Sequence, residues 1–164
     1  MADVYVGFGS NVEPERHLRQ ALADLTRHFG PLRCSSVYRS PAYGFSGEDF
    51  LNLVGMFRSD QGPAAVEALL SSTEYSGGRA RGPERFAPRT VDLDLLLYGQ
   101  CVDAPGRLPR EDVLAYPFVL APLAEIAPEL RHPLTGVALG EAWRRMEAAA
   151  GHPLRRLGSL SCLD

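Results

Sequence analysis

The sequence predicts an α/β (α+β) fold: a ferredoxin-like βαββαβ core, with a mostly antiparallel sheet and helices packed on it, extended at its C-terminal end by further helices. Three observations carry this expectation. Four short apolar segments alternate with two stretches of helical periodicity in the order strand-helix-strand-strand-helix-strand. Glycine and proline, 16 and 13 residues, show no repeat period and cluster between those segments as turn punctuation. Hydrophobic residues make up 45% of the 164 and charged residues 23%, which suits a single domain with its own core and excludes a disordered chain.

Each element has a local reason. Val4 to Phe8 is apolar and runs into Gly9-Ser10-Asn11, a strand ending in a turn. Pro14 suits a first helical turn, and Leu18, Ala21, Leu22, Leu25 and Phe29 follow at helical spacing until Gly30-Pro31 stops the helix. Residues 32–40 carry Val37 and Tyr38 in a second strand, closed by Ser40-Pro41 and a loop over 42–49. Phe50 to Phe57 reads as a buried third strand. Gly62-Pro63 opens a second helix with Val66, Leu69, Leu70 and Thr73 on one face, and Gly77-Gly78 ends it. After a loop over 79–89, Thr90 to Tyr98 alternates as a fourth strand. The core thus spans about 3–100 and an extension 101–150. The extension holds a helix over Phe118–Ile126, with Pro122 near its first turn, and a last helix over Leu139–Ala149 with Trp143 and Met146 on its apolar face. A loose tail occupies about 151–164.

Composition narrows the chemistry. All 17 basic residues are Arg; codon bias produces this as readily as function does, but the lack of Lys excludes Schiff-base chemistry and the P-loop lysine. A net charge of −3 argues against a nucleic-acid partner, and no apolar run reaches the length of a membrane span. Cys34, Cys101 and Cys162 are odd in number and far apart, which points to a reducing, cytoplasmic setting. The four histidines lack HExxH spacing, so zinc chemistry is not indicated.

The informative segment is Arg79–Asp94. Arg79, Arg81, Arg85 and Arg89 fall within eleven residues, opposed only by Glu84, and Asp92 and Asp94 follow at once. On a strand, residues two apart share a face at about 6–7 Å between Cα atoms, so the two carboxylates can share one or two Mg²⁺ ions. Val91, Leu93, Leu95 and Leu97 then point the other way, into a core. Carboxylates for a metal beside arginine forks for oxyanions are what a magnesium-bound polyphosphate requires. The alternative is a solvated arginine loop next to a strand with a polar outer face.

The run Arg85-Phe86-Ala87-Pro88-Arg89-Thr90-Val91-Asp92-Leu93-Asp94-Leu95-Leu96 resembles the defining motif of the 6-hydroxymethyl-7,8-dihydropterin pyrophosphokinase family. Gly9-Ser10-Asn11, Tyr38-Arg39-Ser40-Pro41, Phe50-Leu51-Asn52, Glu74 and the Phe118-Val119-Leu120 to Pro128 stretch flank it in the family's order, so the resemblance covers about residues 3–148. It implies transfer of pyrophosphate from ATP, as co-substrate, to the pterin hydroxymethyl group, in a cytoplasmic monomer that handles only small molecules. By the same resemblance Asp92 and Asp94 would hold two Mg²⁺ ions, Arg79 and Arg89 would neutralise transition-state charge, and Arg81 and Arg85 would contact the nucleotide. Glu74 would orient this region, with Gly9 and Phe86 in supporting places.

The pterin side has its own physical reading. Phe50 and Asn52 share one strand face and offer an aromatic plane and an amide that can donate and accept, which a flat heterocycle needs. The resemblance adds Phe118 as a second plane and backbone contacts from Ser40, Pro41 and Tyr43. Core packing is the competing reading of each aromatic taken alone. The chain departs from the family on the nucleotide side. Arg110 follows Pro109 where a His is usual, and Tyr116 replaces an Arg. Ser71 stands where Gln-type contacts are expected, and Phe86 and Ala87 where Trp and Gly are common. Arg110, a permanent cation, is expected to contact the ATP phosphates. Two other readings remain open: a paralogue acting on a related pterin, and a non-enzymatic ferredoxin-like binding module, for which an acidic chain with an Asp pair on a strand is poorly suited.

Overall fold

Strand β1 (Ala2–Ser10) is an interior strand of the sheet, and its alternation sets the two faces. Val4, Val6 and Phe8 point to one side and are buried; Tyr5, Gly7 and Gly9 point to the other. The computed structural model describes residues 1–42, 47–76, 90–103, 107–149 and 154–160. β1 pairs antiparallel with β4 (Phe50–Ser59) on one edge and with β5 (Asp92–Tyr98) on the other. Outside β4 lie the short β2 (Arg33–Cys34) and β3 (Val37–Ser40), giving the order β5-β1-β4-β3-β6 with β2 also on β4. The fourth core strand is therefore beside the first, and the third beside the second, as a split βαβ fold requires.

The expected second strand is broken in two. Ser35 N–H donates to the Val54 carbonyl at 2.8 Å, and its own Oγ accepts from Val54 N–H at 2.9 Å, so a side chain takes a rung of the ladder. Ser36 then turns its N–H away from the sheet.

Helices α1 (Pro14–Phe29) and α2 (Pro63–Ser76) cover the first face. Leu18, Ala21, Leu25, Val66 and Leu70 pack with Val4, Val6, Phe8, Leu53, Phe57, Leu93 and Leu95 into one core. Pro14 starts α1, and Gly30, at φ 84°, closes it by donating its N–H to the Thr26 carbonyl.

The second face is covered by α3 (Asp112–Ala115), α4 (Pro117–Ile126) and α5 (Leu139–Ala149). Tyr5, Val54, Leu96 and Leu97 meet Val113, Leu120, Leu123 and Leu139 there, with Trp143 and Met146 partly buried against them. Leu97 thus lies on the face opposite Leu93 and Leu95, contrary to unbroken alternation. The cause is a bulge: Val6 pairs with Leu95 and Tyr5 with Leu97, leaving Leu96 without a partner on β1 and reversing the parity beyond it.

Two expectations in the C-terminal part are corrected. Pro117, not Pro122, occupies the start of α4; Pro122 lies inside the helix and donates no bond to the Phe118 carbonyl one turn earlier. The tail is not loose throughout: Arg155–Gly158 forms β6, antiparallel to β3, and covers what would be an open sheet edge.

A single carboxylate joins these layers. Glu125, on α4, accepts from Ser36 N–H at 2.9 Å and from Tyr38 hydroxyl at 2.7 Å. Arg156 of β6 lies 3.6 Å from it. Burial, then this hydrogen bond, raise the Tyr38 pKa, so the hydroxyl stays a donor.

Between α4 and α5, His132 is buried and its Nδ1 accepts from the N–H groups of Leu134 and Thr135, at 3.2 and 3.3 Å. This turn needs Nδ1 unprotonated, and burial lowers the His132 pKa from 6.5. The unfolded chain therefore takes up the proton first as pH falls. The stabilisation is complete above about pH 6.5 and is lost as pH falls towards the folded-state pKa. His132→Asn keeps an acceptor that does not titrate. Urea unfolding at pH 7.5 and 5.5 is expected to show a smaller pH-dependent loss in His132→Asn than in the unmodified protein.

Candidate active site

The second face of the sheet is left partly bare where β1 carries Gly7 and Gly9, and a cavity of about 220 Å³ opens there. Its floor follows the strand register. Gly9 stands between Asn52 on β4 and Asp92 on β5, and Gly7 between Val54 and Asp94. An amide and a carboxylate thus face the same space from opposite sides of a bare strand, about 10 Å apart as two inter-strand spacings require. A Cβ at Gly9 would stand 3.2 Å from Asn52 Oδ1, so glycine is what leaves this amide its place. Phe118 and Val119 close the cavity from α4, and Phe50 of β4, Ser40 of β3 and Pro41 just after it flank the cavity.

Asn52 is buried and oriented by its neighbours. Its Nδ2 donates to Ser40 Oγ at 2.8 Å and reaches the Tyr38 carbonyl at 3.4 Å. A backbone carbonyl only accepts, so the amide must turn its NH₂ that way. Oδ1 is thereby directed towards Gly9, on the cavity side, where its chemistry is that of a hydrogen-bond acceptor.

Asp92 and Asp94 both line the cavity, with Leu93 between them buried on the opposite face. β5 is an edge strand, and the Leu93 N–H points away from β1. Buried Glu74, at the end of α2, accepts that N–H at 2.8 Å and so fixes the segment carrying both carboxylates. The bulge places a further charge: the unpaired Leu96 offers its carbonyl to Arg110 N–H at 3.0 Å. The Arg110 guanidinium then lies 3.5 Å from Asp94 and 3.2 Å from Asp112. Burial works against its charge, but Asp94 and then Asp112 outweigh it and raise the Arg110 pKa.

Among the described residues there is no group of three or more His, Cys, Asp and Glu side chains arranged for one metal ion. Two carboxylates on one strand face fit a hard cation that keeps water or phosphate oxygens as its remaining ligands. Tyr116, exposed at the start of α4, stacks on Phe118 with ring centroids 5.1 Å apart and planes at 22°. It therefore supports an aromatic wall of the cavity.

Residues 5–128 match the family model described as 7,8-dihydro-6-hydroxymethylpterin-pyrophosphokinase (HPPK). The chain belongs to the HPPK family. It is 36% identical over 154 residues to 2-amino-4-hydroxy-6-hydroxymethyldihydropteridine pyrophosphokinase of Synechocystis sp., covering 91% of this chain and 78% of that protein. To the protein of the same name from Pseudomonas aeruginosa it is 37% identical over 136 residues, covering 79% of this chain and 83% of the other. The fold is similar to that of Plasmodium falciparum HPPK-DHPS in complex with SDX-DHP, with a TM-score of 0.71 at 10% identity over 90% of this chain. The present chain spans 44% of that longer one. No described helix is long and apolar enough to cross a membrane.

Against the HPPK motif, the structure gathers Gly9, Ser40, Pro41, Phe50, Asn52, Asp92, Asp94 and Phe118 around one cavity, with Glu74 and Arg110 bonded to its β5 wall. Tyr43, Arg79, Arg81, Arg85, Phe86 and Arg89 lie outside the described residues. Sequence reasoning placed Gly7 and Gly9 at the site as a turn, whereas β1 runs on through Ser10 and makes them a strand floor; it missed the Ser40 hydroxyl that orients Asn52 and the stacking of Tyr116. Alternation along β1 carried the signal for Gly7; the Ser40 contact needs β3 and β4 to pair, and the Tyr116 stacking needs the backbone turn at the start of α4, between residues only two apart.

Glu74→Ala leaves the Leu93 N–H without this acceptor and is expected to destabilise the protein by about 1–3 kcal/mol. Glu74→Gln, which retains an oxygen acceptor, is expected to recover most of that loss. Urea unfolding of the three proteins measures both.

Proposed function

We propose that this protein transfers a pyrophosphoryl group from ATP to 6-hydroxymethyl-7,8-dihydropterin, forming the pterin diphosphate and AMP in folate biosynthesis. The observation that carries the reading is the cavity of an HPPK-family chain in which Asn52 and Asp92 face each other across Gly9. The pterin ring lies over that floor, between Phe50 and Phe118, with a ring N–H donated to Asn52 Oδ1. Its hydroxymethyl arm then points towards β5. The hydroxyl oxygen attacks the β-phosphorus, the bond from that phosphorus to the α,β-bridging oxygen breaks, AMP leaves with the electron pair, and the hydroxyl proton is released to solvent.

Asp92 and Asp94 are the residues that would hold magnesium, two ions by the family resemblance. Bound there, magnesium supplies charge neutralisation at the phosphate oxygens. Arg110, next to Asp94, is assigned to the same phosphates. Arg79 and Arg89 are assigned to transition-state charge, and Arg81 and Arg85 to the nucleotide, on the sequence motif alone. Pyrophosphoryl transfer depends mainly on positioning and electrostatics, so no histidine base is invoked. We extend the reading to a cytoplasmic monomer, the compartment supported by three cysteines odd in number and far apart in sequence, the monomer carried over from the family resemblance.

Asp92→Ala and Asp94→Ala are each expected to lower turnover at least about a hundredfold while pterin still binds. AMP release in a coupled assay reads the first and calorimetric titration the second; near-normal turnover in either variant removes these residues from the metal site. The assay is run with several 6-substituted pterins, so that a preference for another ring distinguishes a paralogue.

Phe118→Ala and Phe50→Ala are each expected to weaken pterin binding by about 1–3 kcal/mol, the scale of a lost stacking partner. Asn52→Ala is expected to weaken it by leaving a ring N–H unpaired. Unchanged affinity in all three variants would move the pterin elsewhere.

A further inference from the structure

Arg110 is held at its backbone and loosely held at its head. Its N–H is tied to the Leu96 carbonyl at the bulge, which fixes where the side chain starts. Its guanidinium stands between two carboxylates, at 3.5 Å from Asp94 and 3.2 Å from Asp112. Neither contact is a well-formed fork. The Asp94 distance is long for a charged hydrogen bond, and among the described residues the buried Nε has no hydrogen-bond partner of good geometry, although Asp112 lies 3.2 Å away. The side chains of Arg110 and Asp94 are 38% and 39% exposed, so solvent screens the pair and little free energy separates it from an open arrangement.

Asp94 therefore has a cation beside it before any metal arrives. A divalent ion binding Asp94 meets repulsion from that guanidinium and must displace it. A polyphosphate that takes the guanidinium removes the obstacle, while the backbone bond to the Leu96 carbonyl keeps the arginine beside the site. We propose that Arg110 is a resident counter-cation of Asp94, which opposes divalent-metal binding in the nucleotide-free protein and yields the carboxylate once phosphate oxygens engage it. Arg110 is then a positioning residue that makes metal and nucleotide binding cooperative. By linkage, each ligand raises the other's affinity by the same factor. The inference rests on Asp92 and Asp94 being the metal site.

The test is a Mn²⁺ titration followed by electron paramagnetic resonance, with and without a β,γ-methylene ATP analogue, on the full chain. Arg110→Gln is expected to bind Mn²⁺ alone about threefold to fivefold more tightly than the unmodified protein, the scale of a half-exposed ion pair. The factor by which the analogue tightens Mn²⁺ binding is expected to shrink to a similar extent. Arg110→Lys keeps the charge and is expected to resemble the unmodified protein. Arg107→Gln makes the same change of net charge at an exposed arginine paired with Glu67, and is expected to leave Mn²⁺ binding unchanged. Asp94→Asn is expected to weaken Mn²⁺ binding in the presence of the analogue.

The outcomes separate the two layers of the reading. If Asp94→Asn leaves Mn²⁺ binding intact, the metal assignment fails and this inference falls with it. If Asp94→Asn weakens Mn²⁺ binding but Arg110→Gln matches the unmodified protein or Arg107→Gln, the metal assignment stands and the counter-cation role is overturned. Undetectable binding of Mn²⁺ alone to both the unmodified protein and Arg110→Gln overturns it equally, since removing the guanidinium would then not have opened the site.

Discussion

The site depends on one constraint: β1 must be packed on one face and bare on the other. Val4, Val6 and Phe8 anchor it to the α1–α2 core, while Gly7 and Gly9 keep the opposite face free of side chains. Glycine in a strand interior weakens that strand, by both entropy and lost packing. Here the loss is offset because β1 is an interior strand, with β4 and β5 hydrogen-bonded along its two edges. A Cβ at Gly9 would press on the Asn52 amide, and one at Gly7 would touch Leu96 at 3.4 Å. The amide and the carboxylates of the site belong to the flanking strands. What lies between them is determined by what β1 lacks.

The walls around that floor are held by a repeated device, in which a helix-borne glutamate accepts a strand N–H that the ladder leaves over. Glu74 of α2 takes the Leu93 N–H at the β5 edge, and Glu125 of α4 takes the Ser36 N–H at the break between β2 and β3. Both bonds are charge-assisted, and both satisfy donors that would be costly to leave unpaired. Glu74 steadies the segment bearing Asp92 and Asp94, and Glu125 locks α4, with Phe118, above Asn52. The carboxylate side and the aromatic side of the cavity are thus secured from opposite faces of the sheet.

The departures from the family pattern acquire a physical meaning in this frame. Tyr116 brings no charge, but it stacks on Phe118 and stiffens an aromatic wall. Arg110 brings a permanent charge to the Asp94 side of the site, and its placement depends on the β5 bulge that exposes the Leu96 carbonyl. One replacement acts on the half of the cavity assigned to the ring and the other on the half assigned to phosphate. Their closeness in sequence hides that separation.

The elements with a strong local period were legible in the sequence. α1 follows from Pro14, Gly30 and the spacing of Leu18, Ala21 and Leu25, because a helix bonds within itself and its apolar stripe repeats in a short window. The pairing of Asp92 with Asp94 on one face follows from strand alternation, and so does that of Phe50 with Asn52. What depended on a distant partner was not legible. The bulge at Leu96 lies in a run of three leucines, where either parity buries an apolar side chain, so only the β1 register and the helices above decide it. β6 carries two adjacent arginines and no alternation, and it is a strand because the β3 edge was open to receive it. Pro122 stays inside α4 because Pro117 already supplies the helix start and burial holds the rest. The sequence by itself determined which side chains share a strand or helix face, since that is a property of neighbouring dihedral angles. Tertiary structure decided which faces meet, and with them the floor of the cavity, the orientation of Asn52 and the contact between Arg110 and Asp94.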